Sequence, residues 1–331
     1  MHEKITRRAF CSMLLALPFP AWAQQPGKIF RIGFLDNSTA SGSAVPVKVF
    51  VQELGTLGWI EGKNLIIEYR FAEQKLKRLP ELAADLVRLK VDLIVTSGGP
   101  TPLAAKNATS TIPIVMTTSV DPVGAGLIAS LAHPGGNITG LSGLAPELNT
   151  KRLEILKDAI PGLSRVGFLR TPGSSTSKIG DLQMKELRPA ALHLKLKLEV
   201  IDTEPDPKAL ESAFKTAKQK QVGAIMTFSG RRFFAERKRI VELAVKYRLP
   251  AIYPDKGYVD AGGLMSYGVD STDQYRRAAV FVDKILKGAK PADLPVEQAM
   301  RFEFIISLPA AKQIGFTVPY ELLARANKVI Q

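Results

Sequence analysis

The chain has 331 residues, of which 46% are hydrophobic and 23% are charged, and its formal net charge at pH 7 is +14. The length exceeds what one hydrophobic core usually serves, and the composition is typical of a globular protein, so we expect two domains. The basic residues are scattered among Asp and Glu rather than gathered into one stripe, which argues against a nucleic-acid partner.

Residues 1–23 have the pattern of an export signal peptide. Arg7 and Arg8 precede an apolar run that is too short for a permanent membrane span, and residues 21–23 fit a small-x-small cleavage site. The paired arginines resemble a twin-arginine leader, although an ordinary secretory signal is also compatible. We therefore expect a periplasmic protein. Its single cysteine, Cys11, leaves with the leader, so the mature chain has neither a disulfide framework nor a thiol nucleophile.

Strand and helix patterns alternate from residue 30 onward. Short apolar runs predict buried strands at residues 30–35, 65–70, 91–96 and 112–116, with a helix over 46–57 between the first two. Apolar residues at helical spacing predict another helix face at Leu79, Leu82, Ala83, Leu86 and Val87. This alternation indicates βαβ units and a parallel sheet.

Two successive strand ends in this half are followed by Gly- and Pro-containing turns. The first turn is residues 97–101, and the second is residues 117–122, where Asp121 is a predicted N-cap and Pro122 a first-turn residue. Two helix N-termini side by side would suit a carboxylate or a phosphate group. The same residue types are what short βα turns use, so a purely structural role stays open.

The alternation begins again after Gly143, which is the predicted domain boundary. A helix over residues 149–160 precedes predicted strands at 165–169, 196–201, 224–228 and 250–253, and a further helical face runs from Tyr275 to Leu286. Two doubly wound halves are more plausible than one sheet of ten or more strands.

Four segments carry a resemblance to a known family. They are Leu57-Gly58-Trp59-Ile60-Glu61-Gly62-Lys63-Asn64, residues 117–143 with the motif His133-Pro134-Gly135-Gly136-Asn137-Ile138-Thr139-Gly140, Ala261-Gly262-Gly263-Leu264-Met265-Ser266-Tyr267-Gly268, and Lys284-Ile285-Leu286-Lys287-Gly288-Ala289-Lys290-Pro291. Together they span nearly all of the chain after the leader, in order and at matching spacing. The chain resembles the ABC-transporter substrate-binding proteins whose better-known members bind tryptophan, tyrosine or related amino acids.

The resemblance implies an α/β fold of the type I periplasmic-binding-protein class, with two doubly wound Rossmann-like lobes, a hinge of crossing strands and a ligand in the cleft. It places residues 30–144 and 269–290 in the N-terminal lobe, and residues 145–268 and 291–331 in the C-terminal lobe. It further implies a monomer without a cofactor or metal, which delivers an amino acid or a small carboxylate to a membrane permease and its ATPase.

Candidate ligand-binding residues lie just after predicted strand ends, because that rim faces the cleft. In the first lobe they are Asp36, Ser97, Gly99, Thr101, Thr118, Ser119 and Asp121, and in the second Thr171, Ser174, Ser229, Arg231, Asp255 and Tyr267. The first set could hold a carboxylate through hydroxyl and N–H groups. Asp121 and Asp255 could instead cap helices, and Arg231 could face either an anion or water. The second-lobe loops at residues 171–173 and 229–231 differ from those of the amino-acid binders, so the resemblance does not fix the identity of the ligand.

An enzyme is the main alternative class, and the sequence contains little that supports an enzymatic function. The turn after the first strand is Asp36-Asn37-Ser38 rather than a Gly-rich dinucleotide loop, and neither a nucleophile elbow nor a phosphate-binding loop occurs. After the leader only His133 and His193 remain, without metal-ligand spacing. A second receptor role, a sensor subunit for a membrane signalling protein, is not separated from transport by the sequence.

Overall fold

The structure is a computed structural model and describes residues 28–119, 121–143, 145–171, 178–298 and 300–331. The predicted export signal and Ser174 lie outside the described residues. None of the helices in the described ranges is long and apolar enough to cross a bilayer.

The first sheet has six strands, all paired in parallel. They are β1 (Phe30–Asp36), β2 (Leu65–Phe71), β3 (Leu93–Ser97), β4 (Ile114–Met116), β5 (Ile138–Ser142) and β11 (Glu297–Gln298), in the spatial order β11-β5-β4-β3-β1-β2. Its helices are α1 (Ala40–Thr56), α2 (Leu79–Arg88), α3 (Thr101–Ala108) and α10 (Ser271–Leu286), with short 3₁₀ turns at Leu76–Arg78 and Pro291–Asp293.

Alternate side chains of these strands serve two separate apolar cores, as the strand period requires. Phe34 packs with Phe50 of α1 and with α10, whereas Leu35 on the opposite face packs with Leu86 of α2. The first helix begins at Ala40, six residues earlier than the sequence predicts, because Thr39 caps it by accepting the N–H of Gly42 at 3.0 Å.

The second sheet has seven strands in the order β13-β12-β10-β9-β8-β6-β7. They are β6 (Arg165–Arg170), β7 (Lys197–Asp202), β8 (Ala224–Thr227), β9 (Ala251–Tyr253), β10 (Met265–Val269), β12 (Phe302–Ser307) and β13 (Lys328–Ile330). The helices are α4 (Ala145–Ala159), α5 (Lys178–His193), α6 (Pro207–Gln219), α7 (Arg231–Ala235), α8 (Arg237–Lys246), α9 (Lys256–Asp260), α11 (Leu308–Ile314) and α12 (Tyr320–Arg325). The β10–β12 pair is antiparallel, and the other pairs are parallel.

The two sheets confirm the predicted two-lobed α/β class, and the chain passes between them three times. It leaves the first sheet after β5, leaves the second after β10 to form α10, and returns between β11 and β12. The helix α10 belongs to the first lobe, since Tyr275, Ala278 and Val282 share a core with Phe34.

The return to the second sheet lies later than residue 291, the boundary that the family resemblance implies. Glu297 and Gln298 pair with Leu141 and Ser142 of β5, which keeps this segment on the first sheet. The bonds that hold it there involve backbone atoms: the Thr139 hydroxyl donates to the Leu294 carbonyl at 2.7 Å, and the Val296 N–H donates to the Leu131 carbonyl at 2.8 Å. A strand of only two residues, held by contacts to backbone atoms, is too short to show an apolar pattern. It therefore cannot be predicted from the sequence.

Gly140 is required where β5 pairs with β4, opposite Met116. Its φ is +123°, and a Cβ there would lie 2.3 Å from the carbonyl oxygen of Met116. We expect Gly140→Ala to lower the free energy of unfolding by about 3 kcal/mol, because both the dihedral and the clash with backbone are unfavourable. Gly136→Ala is the control, since a Cβ at Gly136 meets open space. Urea unfolding of both variants would test this, and equal midpoints would contradict it.

Candidate functional site

The register of the first sheet brings polar residues from three strand ends to one edge. In the β1–β3 pair Asp36 lies opposite Ser97, and in the β3–β4 pair Thr96 lies opposite Met116. The residues that follow these strands are therefore neighbours at the carboxyl edge, where open parallel sheets bind their ligands.

Two of the candidate residues at this edge bond within the lobe. Asp36 is buried, and its carboxylate accepts the Ser38 N–H at 2.8 Å and the Ser43 hydroxyl at 2.6 Å. The Ser97 hydroxyl lies 2.5 Å from the Tyr275 hydroxyl of α10. Both side chains thus help to hold the edge together, and Ser97 ties it to the helix that follows the second crossing.

The other candidates on β3 and β4 differ in exposure. Thr101 is buried and donates its hydroxyl to the Gly98 carbonyl at 2.7 Å, whereas Gly99 is exposed and its Cβ position faces open space. Thr118 is half-buried, and the buried Ser119 accepts the Gly143 N–H on its carbonyl at 2.6 Å. Gly99 and Thr118 are accordingly the two of these four that a solute could approach.

The prediction of a second helix N-terminus after β4 is wrong. Residues 122–126 form a turn, and Asp121 accepts the Gly124 N–H at 2.8 Å, so that it caps this turn rather than a helix. The stretch contains Gly124 and Gly126, of which Gly126 has a φ of +67°, and glycine is unfavourable inside helices. On this edge two helices begin shortly after strand ends: α1 at Ala40 after β1, and α3 at Thr101 after β3.

The second sheet also carries candidates after its strands. Thr171 follows β6, Ser229 follows β8 and Asp255 follows β9, and all three are half-buried. Asp255 caps α9 by accepting the Gly257 N–H at 2.7 Å. Tyr267, within β10, is half-buried, with its ring centroid 6.3 Å from that of Phe302.

Arg152 donates hydrogen bonds to Tyr267, Ser229 and Asn149, and it was not among the residues predicted from the sequence. Its side chain is 2% exposed, Nε–H donates to the Tyr267 carbonyl at 2.6 Å, and Nη1 donates to Asn149 Oδ1 at 2.6 Å and to Ser229 Oγ at 3.5 Å. Burial lowers the pKa of Arg152 to about 9, which leaves the guanidinium charged at neutral pH. The second lobe therefore holds a buried positive charge beneath its carboxyl edge.

A sequence signal for Arg152 did exist. Asn149, Arg152, Leu153 and Leu156 are spaced at three and four residues, and all four are buried on one side of α4. An arginine within an apolar helical stripe needs internal partners. Lys151 and Glu154 flank Arg152 in the sequence and form a surface ion pair at 2.8 Å. These charged neighbours make the apolar helical pattern hard to recognise in the sequence.

Arg231 is the first residue of α7, which has five residues, and its side chain is not among those described. The neighbouring Arg232 is exposed and pairs with Glu204 at 2.6 Å. In the described part of the chain, no group of three or more His, Cys, Asp and Glu side chains is placed to hold a metal ion.

Comparisons with known proteins agree with this architecture. The family model described as "ABC transporter substrate binding protein" matches residues 43–330. A tyrosine-binding protein of Clostridioides difficile (strain R20291) is 27% identical over 267 residues, which cover 81% of this chain and 75% of that protein.

Two solved structures are similar over both sheets. A conserved domain protein from Vibrio cholerae has a TM-score of 0.83 at 28% identity, with 91% of this chain and 100% of that chain covered. An ABC domain from Streptococcus pneumoniae in complex with L-Trp has a TM-score of 0.82 at 26% identity, with 91% and 99% covered.

Removal of the Arg152 guanidinium should destabilise the second lobe. Arg152→Met fills most of the volume but leaves the Tyr267 carbonyl and Asn149 Oδ1 without this donor, and each loss of that kind costs about 1–3 kcal/mol. The control is Arg165→Met, because Arg165 donates to the Lys220 carbonyl at the surface. In urea unfolding the first variant should lose about 3 kcal/mol and the second less than about 1 kcal/mol. Equal losses would show that the buried bonds contribute no more than the surface bond.

Proposed function

We propose that this chain, which belongs to the family of ABC transporter substrate-binding proteins, captures a small solute between its two lobes for import. The family match carries the proposal, because residues 43–330 include every strand of the two sheets except β1, and all three crossings between them. Binding of a solute, rather than covalent chemistry, is the activity that this family performs, and we propose no catalytic residue.

The ligand we propose is an amino acid, with an aromatic one as the first candidate. The support comes from relatives: one is a tyrosine-binding protein, and another was solved in complex with L-Trp. Half-buried aromatic residues at the second-lobe edge, Phe228 after β8 and Tyr267 in β10, offer apolar surface of the kind that such side chains contact. A small carboxylate is the alternative, since carboxylates also suit the polar groups of the first edge.

Closure of the two lobes about the three crossings would turn solute binding into a change of conformation. A solute shifts the balance between open and closed forms only by its differential affinity for the two. In our proposal Gly99 and Thr118 contact the solute from the first lobe, while Ser229 and Tyr267 contact it from the second. A solute held by both sides favours the closed form.

The proposed partners are a membrane permease and its ATPase, and the proposed location is the periplasm. Export would depend on residues 1–23, by the general secretory or the twin-arginine route, and the mature protein would act as a monomer. A sensor subunit that presents the closed lobes to a membrane signalling protein is the alternative. Genomic neighbours that encode a permease and an ATPase would favour import over sensing.

A ligand screen tests the proposed function. The mature chain from Gln24 onward, unfolded and refolded to remove bound solute, would be heated with each of the common amino acids and with small aromatic carboxylates. A ligand present at 100 times its dissociation constant adds about 2.7 kcal/mol to stability, so the melting temperature should rise with L-tyrosine or L-tryptophan. A rise only with carboxylates that lack an amino group would shift the ligand class, and a bound redox cofactor would contradict the receptor function.

Thr118 provides a site-directed test. Its half-buried hydroxyl lies beside Gly143 at the first edge, so we expect Thr118→Ala to weaken binding of the screened ligand about tenfold while the ligand-free melting temperature stays within one or two degrees. Thr216→Ala is the control, because the exposed Thr216 hydroxyl donates to the Ser212 carbonyl within α6. Titration calorimetry would measure both affinities, and an unchanged affinity in Thr118→Ala would remove this residue from the site.

A further inference from the structure

Basic residues collect at the amino edge of the second sheet, opposite to the carboxyl edge that carries the candidate residues. Four adjacent strands, in the spatial order β9-β8-β6-β7, run parallel and therefore begin at this edge. The loops that lead into them are residues 160–165, 194–197, 220–224 and 247–251, and they contain five Lys or Arg and no Asp or Glu. These five residues, which we call the basic pole, are Arg165, Lys195, Lys197, Lys220 and Arg248.

Hydrogen bonds place the four loops side by side. The Lys197 N–H donates to the carbonyl of residue 164 at 2.8 Å, and Arg165 Nη1 donates to the Lys220 carbonyl at 3.0 Å. The fourth loop adjoins the third, because the Ile225 N–H donates to the carbonyl of residue 250 at 2.9 Å, two positions after Arg248. The fold thus unites cations that are far apart in the sequence, where acidic residues lie between them.

Little negative charge offsets the basic pole. Lys197 and Lys220 both pair with Glu199, at 2.7 and 3.2 Å, and their ammonium groups hold the pKa of that carboxyl below its usual range. Within the described part of the chain, the other three members of the pole form no ion pair. Five cations and the one carboxylate of Glu199 leave a net charge of +4. Four of the five side chains are exposed, and Arg165 is half-buried.

The helix dipole does not explain this uniform sign. It favours a cation at a helix C-terminus, which accounts for a single Lys or Arg in such a loop. The corresponding loops of the first lobe, however, carry both signs. Lys63 lies two positions from Glu61 before β2, and Lys90 lies two positions from Asp92 before β3. Asp92 also pairs with Lys28 at 2.7 Å. The exclusion of carboxylates is therefore particular to the second lobe.

An exposed leucine adjoins the basic pole. Leu192, in the last turn of α5, is 80% exposed, and its carbonyl accepts the Lys195 N–H at 3.0 Å. Cations around an apolar side chain suit the surface of an anionic bilayer, where the headgroups attract the cations and the acyl boundary takes up the apolar group. A nucleic acid would satisfy the cations but offers no acyl layer for Leu192.

We propose that the basic pole and Leu192 bind the protein to a bilayer surface that contains anionic phospholipid. The amino and carboxyl ends of parallel strands lie at opposite edges of a sheet, so this contact leaves the second-lobe carboxyl edge uncovered. The inference goes beyond the proposed function. Bilayer binding would keep a solute receptor at the membrane of its proposed permease whether or not a solute is bound.

Co-sedimentation with lipid vesicles tests the proposal. At about 0.1 M NaCl, the mature chain should bind vesicles of phosphatidylcholine with about 30% phosphatidylglycerol at least tenfold more tightly than vesicles of phosphatidylcholine alone. Raising NaCl to about 0.5 M should remove most of this preference, because salt screens exposed charges.

Two double variants with the same change in charge locate the contact. Lys195→Glu with Arg248→Glu reverses two members of the basic pole, whereas Lys63→Glu with Lys90→Glu reverses two exposed cations of the first lobe. The backbone is also matched at three of these positions, since φ is +54° at Lys195, +50° at Arg248 and +52° at Lys90. The pole variant should bind the phosphatidylglycerol vesicles at least tenfold more weakly, and the first-lobe variant should stay within threefold of wild type. Melting curves check that both variants are folded.

Leu192→Trp reports whether this side chain enters the bilayer. Its tryptophan emission should move to shorter wavelength with the phosphatidylglycerol vesicles and stay unchanged with phosphatidylcholine alone. The wild-type spectrum is the reference, since Trp59 is the one tryptophan after the predicted leader.

Several results would overturn the inference. Equal losses in the two double variants would show that total charge governs binding and not the basic pole. Wild-type protein without a preference for phosphatidylglycerol, or an unchanged emission of Leu192→Trp, would refute the bilayer contact. Tighter binding to a short DNA duplex than to the vesicles at the same salt would replace the lipid by a nucleic acid. All of these measurements are made without a solute, so each such result leaves the proposed function standing.

Discussion

Parallel pairing is the constraint on which the candidate site depends, because it sends the carboxyl ends of successive strands to the same edge of a sheet. In the first lobe, β1, β3 and β4 end side by side, so residues about 20 to 60 positions apart in sequence become neighbours. The second sheet repeats the arrangement at the ends of β6, β8 and β9. Each lobe thus presents one polar edge.

The polar groups at these edges fall into two kinds. Asp36, Thr101 and Arg152 are buried and bonded to neighbouring backbone or side chains, and they hold the edges in shape. Others, such as Thr118 and Ser229, are half-buried and lie nearer the surface. A binding site is accurate when its contact residues are supported by a rigid outer set. The buried, bonded residues and the half-buried residues include the same chemical types. Residue type alone therefore does not show whether a side chain supports the edge or contacts a solute.

The sequence predicted the fold well, whereas for the candidate site it predicted only which residues follow strand ends. Apolar runs located β1, β2, β6 and β8 to within one residue, because a strand buried on both faces has few other patterns available. The sequence could place Asp36 and Ser97 at the edge, but the bond from Ser97 to Tyr275 joins residues 178 positions apart and leaves no local trace. The turn after β4 misled the prediction, since Asp followed by Pro begins a capped turn as readily as a helix.

The position of α10 in the chain affects how the protein is made. The helix completes the core around Phe34 and Phe50, yet it is synthesised after strands β6 to β10 of the other lobe. The second sheet in turn lacks β12 and β13 until the last residues emerge. Neither lobe can bury its apolar surface fully before nearly the whole chain has left the ribosome. A secretion route that carries unfolded polypeptide would therefore have the entire period of translation in which to engage this chain.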